Sequence, residues 1–189
     1  MKKNITITDG DLCILEHIHL NFKDFSSWDF LTDGTYPDGT SDIEELTRAF
    51  LDSMLTPPFF IVFEEYPELK SKIESQLQEN EIEYHIMEVA FDIVCIKIGR
   101  KEQYSLVLSL LDYTLEIHIL AGNELQLEDV IPVVSHEGAI QYDLIDIERL
   151  HTFVYIMEFG IQYCTRDNQL DQKKLADFSL AGFHLMEQI

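Results

Sequence analysis

The sequence predicts an α+β fold, a single domain over residues 1–189 with a mainly antiparallel β-sheet packed against about four helices. Three observations lead there. Hydrophobic residues make up 46% and aromatics 11% of a chain of one-domain length, enough to bury a core. Two segments carry apolar residues at helical spacing beside start and stop signals. Between residues 81 and 120 short β-rich runs alternate with turn signals.

The elements follow in order. Asn4–Thr8 is short and β-branched, and Asp9-Gly10 is a favoured hairpin turn. The second strand of that hairpin is expected over Leu12–Phe22, with Leu12, Ile14, Ile18, Leu20 and Phe22 on one side and His17, His19 and Asn21 on the other. A helix from Asp11 is the alternative. Residues 24–40 read as a long loop, broken by two Asp/Gly turns and Pro37. Ser41 and Glu44 form a capping-box match, and Ile43, Leu46, Phe50, Leu51, Met54 and Leu55 share the helical face behind it. Thr56-Pro57-Pro58 ends that helix, because proline lacks an amide hydrogen and restricts the residue before it.

Phe59–Phe63 is a wholly apolar strand candidate, central to a sheet. A second helix is expected from Pro67 to about Asn80, with Leu69, Ile73 and Leu77 as its stripe. Strands over Glu81–Val89, Phe91–Ile98, Tyr104–Leu111 and Leu115–Leu120 would make an antiparallel meander. Ile147, Leu150, Val154 and Met157 return to helical spacing over 146–159, with Gly160 as the stop. Leu175, Phe178, Ala181 and Leu185 mark a last helix over 171–187. No internal repeat or linker divides the chain.

Charge is the strongest functional signal. Thirty-five acids stand against 13 Lys and Arg, a formal net charge of -22. Between Asp24 and Thr47 there are seven acids and no base; from Glu102 to Glu148 there are ten acids and no base. Such a chain repels nucleic acid and anionic membrane surfaces. No apolar run approaches the ~18 residues of a membrane span, and Lys2 and Lys3 precede a polar stretch rather than a signal-peptide core. Cys13, Cys95 and Cys164 are too widely spaced for a disulfide framework or a zinc site, which suits buried thiols in a reducing cytoplasm.

The expected loop adds aromatic anchors to that charge. Trp28, Phe30 and Tyr36 stand among Asp29, Asp33 and Asp38, the composition of an interface hot spot. The plainer account is that Trp28 and Phe30 fold back onto their own core.

Chemistry is harder to find. The sequence has no phosphate-binding glycine loop, nucleophile elbow, HExxH or EF-hand spacing. His17 and His19 beside Glu16, and Glu116 beside His118, are alternating pairs that fall short of the ligands zinc needs. Asp29, Asp33, Asp38 and Asp42 match no calcium loop and read as turn formers. Asp92 and Lys97 flank a strand as in some nucleases, but Cys95 stands where a second acid would be needed. No cofactor is expected.

The expected function is therefore a non-enzymatic, cytoplasmic acidic protein that neutralises or inhibits a basic partner protein, in the manner of an immunity protein, an antitoxin or a phage-encoded inhibitor. The partner-binding set is Trp28, Asp29, Phe30, Asp33, Tyr36 and Asp38. An enzyme built on His17, His19, Glu116 or His118, and a homo-oligomerisation module, are the alternatives.

Overall fold

The structure, a computed structural model, describes residues 3–12, 15, 18, 20, 22, 24–32, 43–65, 69–88, 92–110, 114, 116–134, 140–142, 148–157, 160–167, 169–180 and 183–187. In chain order its elements are β1 Lys3–Asp9, β2 Ser26–Thr32, α1 Ile43–Met54, β3 Phe59–Glu65, α2 Lys70–Glu79, β4 Tyr84–Glu88 and β5 Asp92–Ile98. There follow α3 Tyr104–Leu110, β6 Ile117–Gly122, β7 Val133–Val134, β8 Ile140–Gln141, β9 Leu150–Met157, β10 Gly160–Thr165, α4 Gln172–Leu180 and β11 Phe183–Glu187.

Nine strands form one sheet in the order β11-β1-β2-β10-β9-β6-β3-β5-β4, while β7 and β8 pair only with each other. Every junction in the large sheet is antiparallel except the parallel β1–β11 pair. Among the described residues the α+β reading with four helices and a mainly antiparallel sheet therefore holds, although the sheet is large relative to the helices that cover it.

Each strand sends alternate side chains to opposite faces. One face carries Ile5, Ile7, Phe30, Phe59, Ile61, Phe63, Val94, Ile119, Val154 and Tyr163, packed against apolar residues of all four helices. The other carries Phe60, Val62, Ile93, Cys95, Leu120, Phe153, Tyr155 and Cys164. Irregular chain covers these, through Leu15, Ile18, Leu20, Phe22 and Phe25, and through Leu125, Leu127, Val130 and Tyr142.

α1 behaves as its pattern predicts. Leu46, Ala49, Phe50, Leu51 and Met54 are buried, and Glu44 and Glu45 occupy the first turn, where negative charge suits the helix dipole. Its predicted cap residue, Ser41, lies outside the described residues. α2 buries Ile73 and Leu77. It ends in a Schellman motif: Ile82 N–H donates to the Leu77 carbonyl (2.9 Å) and Glu81 N–H to that of Gln78 (3.1 Å). Glu81 takes the left-handed position at φ 53°, which glycine usually fills.

Five expectations are corrected. β1 pairs with β2 rather than with Leu12–Phe22. Within that stretch Leu12, Leu15 and Ile18 lie in 3-10 turns, and Leu15 and Ile18 are fully buried in the core. The expected loop at 24–40 contains β2, flanked on both sides by other strands. The expected strand at Tyr104–Leu111 contains helix α3, Tyr104–Leu110, instead. A 3-10 turn over Lys101–Gln103 leads into it, capped by the Gln103 side-chain oxygen, which accepts from Gly99 N–H (2.8 Å) and Arg100 N–H (3.2 Å). With a helix there, β6 joins β3 rather than β5 and the meander is interrupted.

The fourth correction is largest. The expected helix at 146–159 contains strand β9, and Gly160, the expected stop, begins β10. Both strands run through the middle of the sheet, and residues 152–156 and 160–165 are buried without interruption. A strand buried on both faces has no two-residue alternation, so Leu150, Val154 and Met157 matched helical spacing by coincidence. The final helix is shorter than expected, and Leu185 belongs to β11.

Candidate functional site

Because directly paired residues point to the same face, the sheet register reads as rows running across the strands. Two rows on the second face contain the polar residues of interest. The inner row is Thr8, Asp29, Gln162, Tyr155, His118, Val62, Cys95 and His85. The outer row includes Met186, Thr6, Leu31, Gly160 and Met157, and continues to Glu116 and Glu64 just beyond the Phe63–Ile117 pair.

From Gln162 to Cys95 the inner row passes beneath the irregular layer. Gln162 is fully buried, and its amide donates to the Asp11 carbonyl (3.1 Å) and the Ser27 hydroxyl (3.2 Å). Ser27 also meets the Cys164 sulfur at 3.5 Å. Gln162 Oε1 and Asp29 Oδ1 are both buried without a hydrogen-bond donor. Burial, and secondarily the charge of Asp11, raises the Asp29 pKa. Further along, His118 Nδ1 and the Tyr142 hydroxyl share a hydrogen bond of 2.8 Å, and the His118 ring is packed by Phe153 and Tyr155. Glu116, two residues before His118, is exposed and hydrogen-bonded to Tyr155.

The outer row lies at the end of this cover. Leu31 and Met186, 36% and 37% exposed, are the large hydrophobics that stand out from the surface among the described residues, and Thr6 pairs with both. Beside Leu31, Gly160 leaves room that a side chain would fill: a Cβ there would lie 2.7 Å from the Phe30 carbonyl and 2.9 Å from Leu31 Cδ2. Met157 is half-buried, while Glu116 and Glu64 are exposed. Burial and the charge of Glu116 raise the Glu64 pKa. The row from Met186 to Glu64 contains no Lys or Arg.

A separate acidic group lies on the helix-covered face, where Glu65, Asp92 and Glu88 pair across β3, β5 and β4. Lys70 of α2 bridges Glu88 and Asp92, the latter at 3.3 Å. Glu65 is 1% exposed, and neither carboxylate oxygen has a hydrogen-bond partner. Burial, then Asp92 and Glu74, push its pKa up to about 7 against the opposing charge of Lys70. Sequence reasoning missed Glu65. Its signal is position: it is in phase with Phe59, Ile61 and Phe63, so it must enter the same core.

The expected binding set is divided by strand alternation. Asp29 is on the second face, whereas Trp28 and Phe30 point into the helix-covered core. Trp28 stacks on Tyr163 with ring centres 6.2 Å apart, and Phe30 is fully buried against Phe50 (5.4 Å) and Phe178 (5.5 Å). Phe30 therefore cannot touch a partner in the folded state. Asp33, Tyr36 and Asp38 lie outside the described residues, as do Glu16, His17, His19 and Cys13. Cys95 and Cys164 are buried free thiols, each pushed up to about 12 chiefly by burial, and such thiols are poor nucleophiles. Among the described residues no group of three or more His, Cys, Asp and Glu could hold a metal ion. No helix described is long and apolar enough to cross a membrane.

Searches against protein-family models, curated proteins and solved structures find no match to this chain.

Proposed function

We propose that this chain is an acidic binding protein that neutralises or inhibits a basic partner protein without performing chemistry on it. The observation that carries this reading is how the few cations are used. Arg48, Lys70, Lys97 and Arg149 are engaged in ion pairs with the chain's own carboxylates. Lys101, Arg166 and Lys174 donate to backbone carbonyls. Against a net charge of -22, Asp9, Asp24, Glu64, Glu102, Glu116, Glu128, Asp171 and Asp177 are exposed to solvent. A surface of one sign accelerates association with a protein of the opposite sign and disfavours wrong partners. Nucleases and nucleic-acid-binding proteins present such cationic surfaces.

The test is a tagged pull-down from native lysate at low salt, eluted by a salt gradient and identified by mass spectrometry. A basic protein that leaves steeply with salt, and whose activity falls when the purified chain is added, is the expected result. A column that retains nothing specific would reduce the charge to a solubility device and end this reading.

A further inference from the structure

Resting on that reading, we propose that the outer row of the second face, Met186, Thr6, Leu31, Met157, Glu116 and Glu64, is the docking surface. Its occupant is a basic protein that places apolar side chains on Leu31 and Met186 and Lys or Arg on Glu116 and Glu64.

Among the described residues both exposed large hydrophobics share this row, separated only by Thr6. Isolated exposed apolar residues are ordinary, but neighbours on a rigid sheet make a patch. Four strands further on, the same row ends in two adjacent carboxylates. Their repulsion is part of why Glu64 holds its proton more tightly, and an incoming cation would relieve it. From β11 to β3 the row crosses six strand spacings, about 29 Å at ~4.8 Å each. That is about the width of one side of a standard-size interface of roughly 800 Å². The row's composition also points to the occupant. A second copy would bring a net charge of -22 against the same charge, whereas a basic protein meets both the carboxylates and the apolar patch.

The experiment uses the full chain, ¹⁵N-labelled, titrated at low salt with two defined 18-residue peptides. One alternates Lys and Leu at helical spacing, and the other replaces every Leu by Ser. The proposal expects the Lys/Leu peptide to bind more tightly, with amide shifts concentrated at β11, β1, β2 and residues 116–117. Leu31→Ser with Met186→Ser should weaken that binding about tenfold, since truncated apolar anchors dominate interface losses. Glu64→Gln with Glu116→Gln should flatten its salt dependence. Glu44→Gln with Glu45→Gln, on the exposed side of α1, should do neither. All these positions are exposed, so unchanged thermal melts should accompany every variant.

If both peptides bind equally and the α1 variant weakens them as much as the row variants do, the docking surface is overturned while the acidic-partner reading stands. If neither peptide binds and the pull-down retains nothing, both fall. A homodimer in sedimentation that dissociates on Leu31→Ser would assign the row to a second copy and overturn the proposal.

Discussion

The two faces of this sheet are closed in different ways. The helix-covered face is sealed by regular elements whose apolar stripes meet apolar strand positions, with Phe30, Phe50, Phe178 and Tyr163 in mutual ring contact. Its charged exception among the described residues is Glu65, and the Thr47 hydroxyl of α1 is also buried there without a partner. The second face is covered by irregular chain that must satisfy its own backbone, so polar groups such as Gln162, Ser27, His118 and Tyr142 are buried with it. Beyond that cover, the β11-β1-β2 wing shows Asn4, Thr6, Thr8, Leu31, His184 and Met186 half-buried or exposed. The helices close their face mainly by hydrophobic burial, whereas the irregular chain on the other face is buried together with hydrogen-bonded polar groups.

The contrast can be broken most forcefully at Phe30. Phe30→Ala should destabilise the protein by about 3–5 kcal/mol, through lost burial and the cavity left among the rings; urea unfolding measures it. Next is the charged exception on that face. Glu65 has a folded-state pKa near 7 against an ordinary value of 4.5, so folding favours its neutral form. There is no penalty below about pH 4.5. Stability then falls as pH rises through 7 and levels off above it. Glu65→Gln should stabilise the protein by about 1–2 kcal/mol at pH 8 and little at pH 4.5, flattening the stability profile between them. Equal effects at both pH values would show that the carboxyl does not titrate in this window.

On the second face, Tyr142→Phe removes the hydroxyl that meets His118 and should cost about 1 kcal/mol in urea unfolding. A loss as large as that at Phe30 would mean the polar layer is as essential as the helical one. The smallest effect belongs to Glu81, where glycine would relieve the left-handed backbone; Glu81→Gly should stabilise α2 by about 0.5–1 kcal/mol, measured as a rise in Tm.

Local signals were legible in helices with one solvated face, and at β3 through an unbroken apolar run that starts just after Pro57-Pro58. The α1 stripe, the stop at Pro57-Pro58, the apolar run of β3 and the Leu69/Ile73/Leu77 stripe all took the expected form. Amphipathic elements write their environment into their period. β9, β10 and α3 were misread or missed because elements buried on most sides lose that contrast, and short apolar runs then suit a helix or a strand alike. Of the expected binding set, Asp29 is the described acid that strand alternation turns to the second face, where it is half-buried rather than exposed. Leu31 and Met186 were not legible as a pair, since they lie 155 positions apart and become neighbours only through β1.

By itself, then, the sequence determined the α+β class, the acidity, the two best-marked helices and the burial of Cys95 and Cys164. These follow from composition and from periods within about 15 residues. Only the tertiary structure decided strand order, which face each residue takes, and which carboxylates stand beside apolar side chains. Those depend on pairings between distant segments, where a shift of one residue would exchange the two faces of a strand.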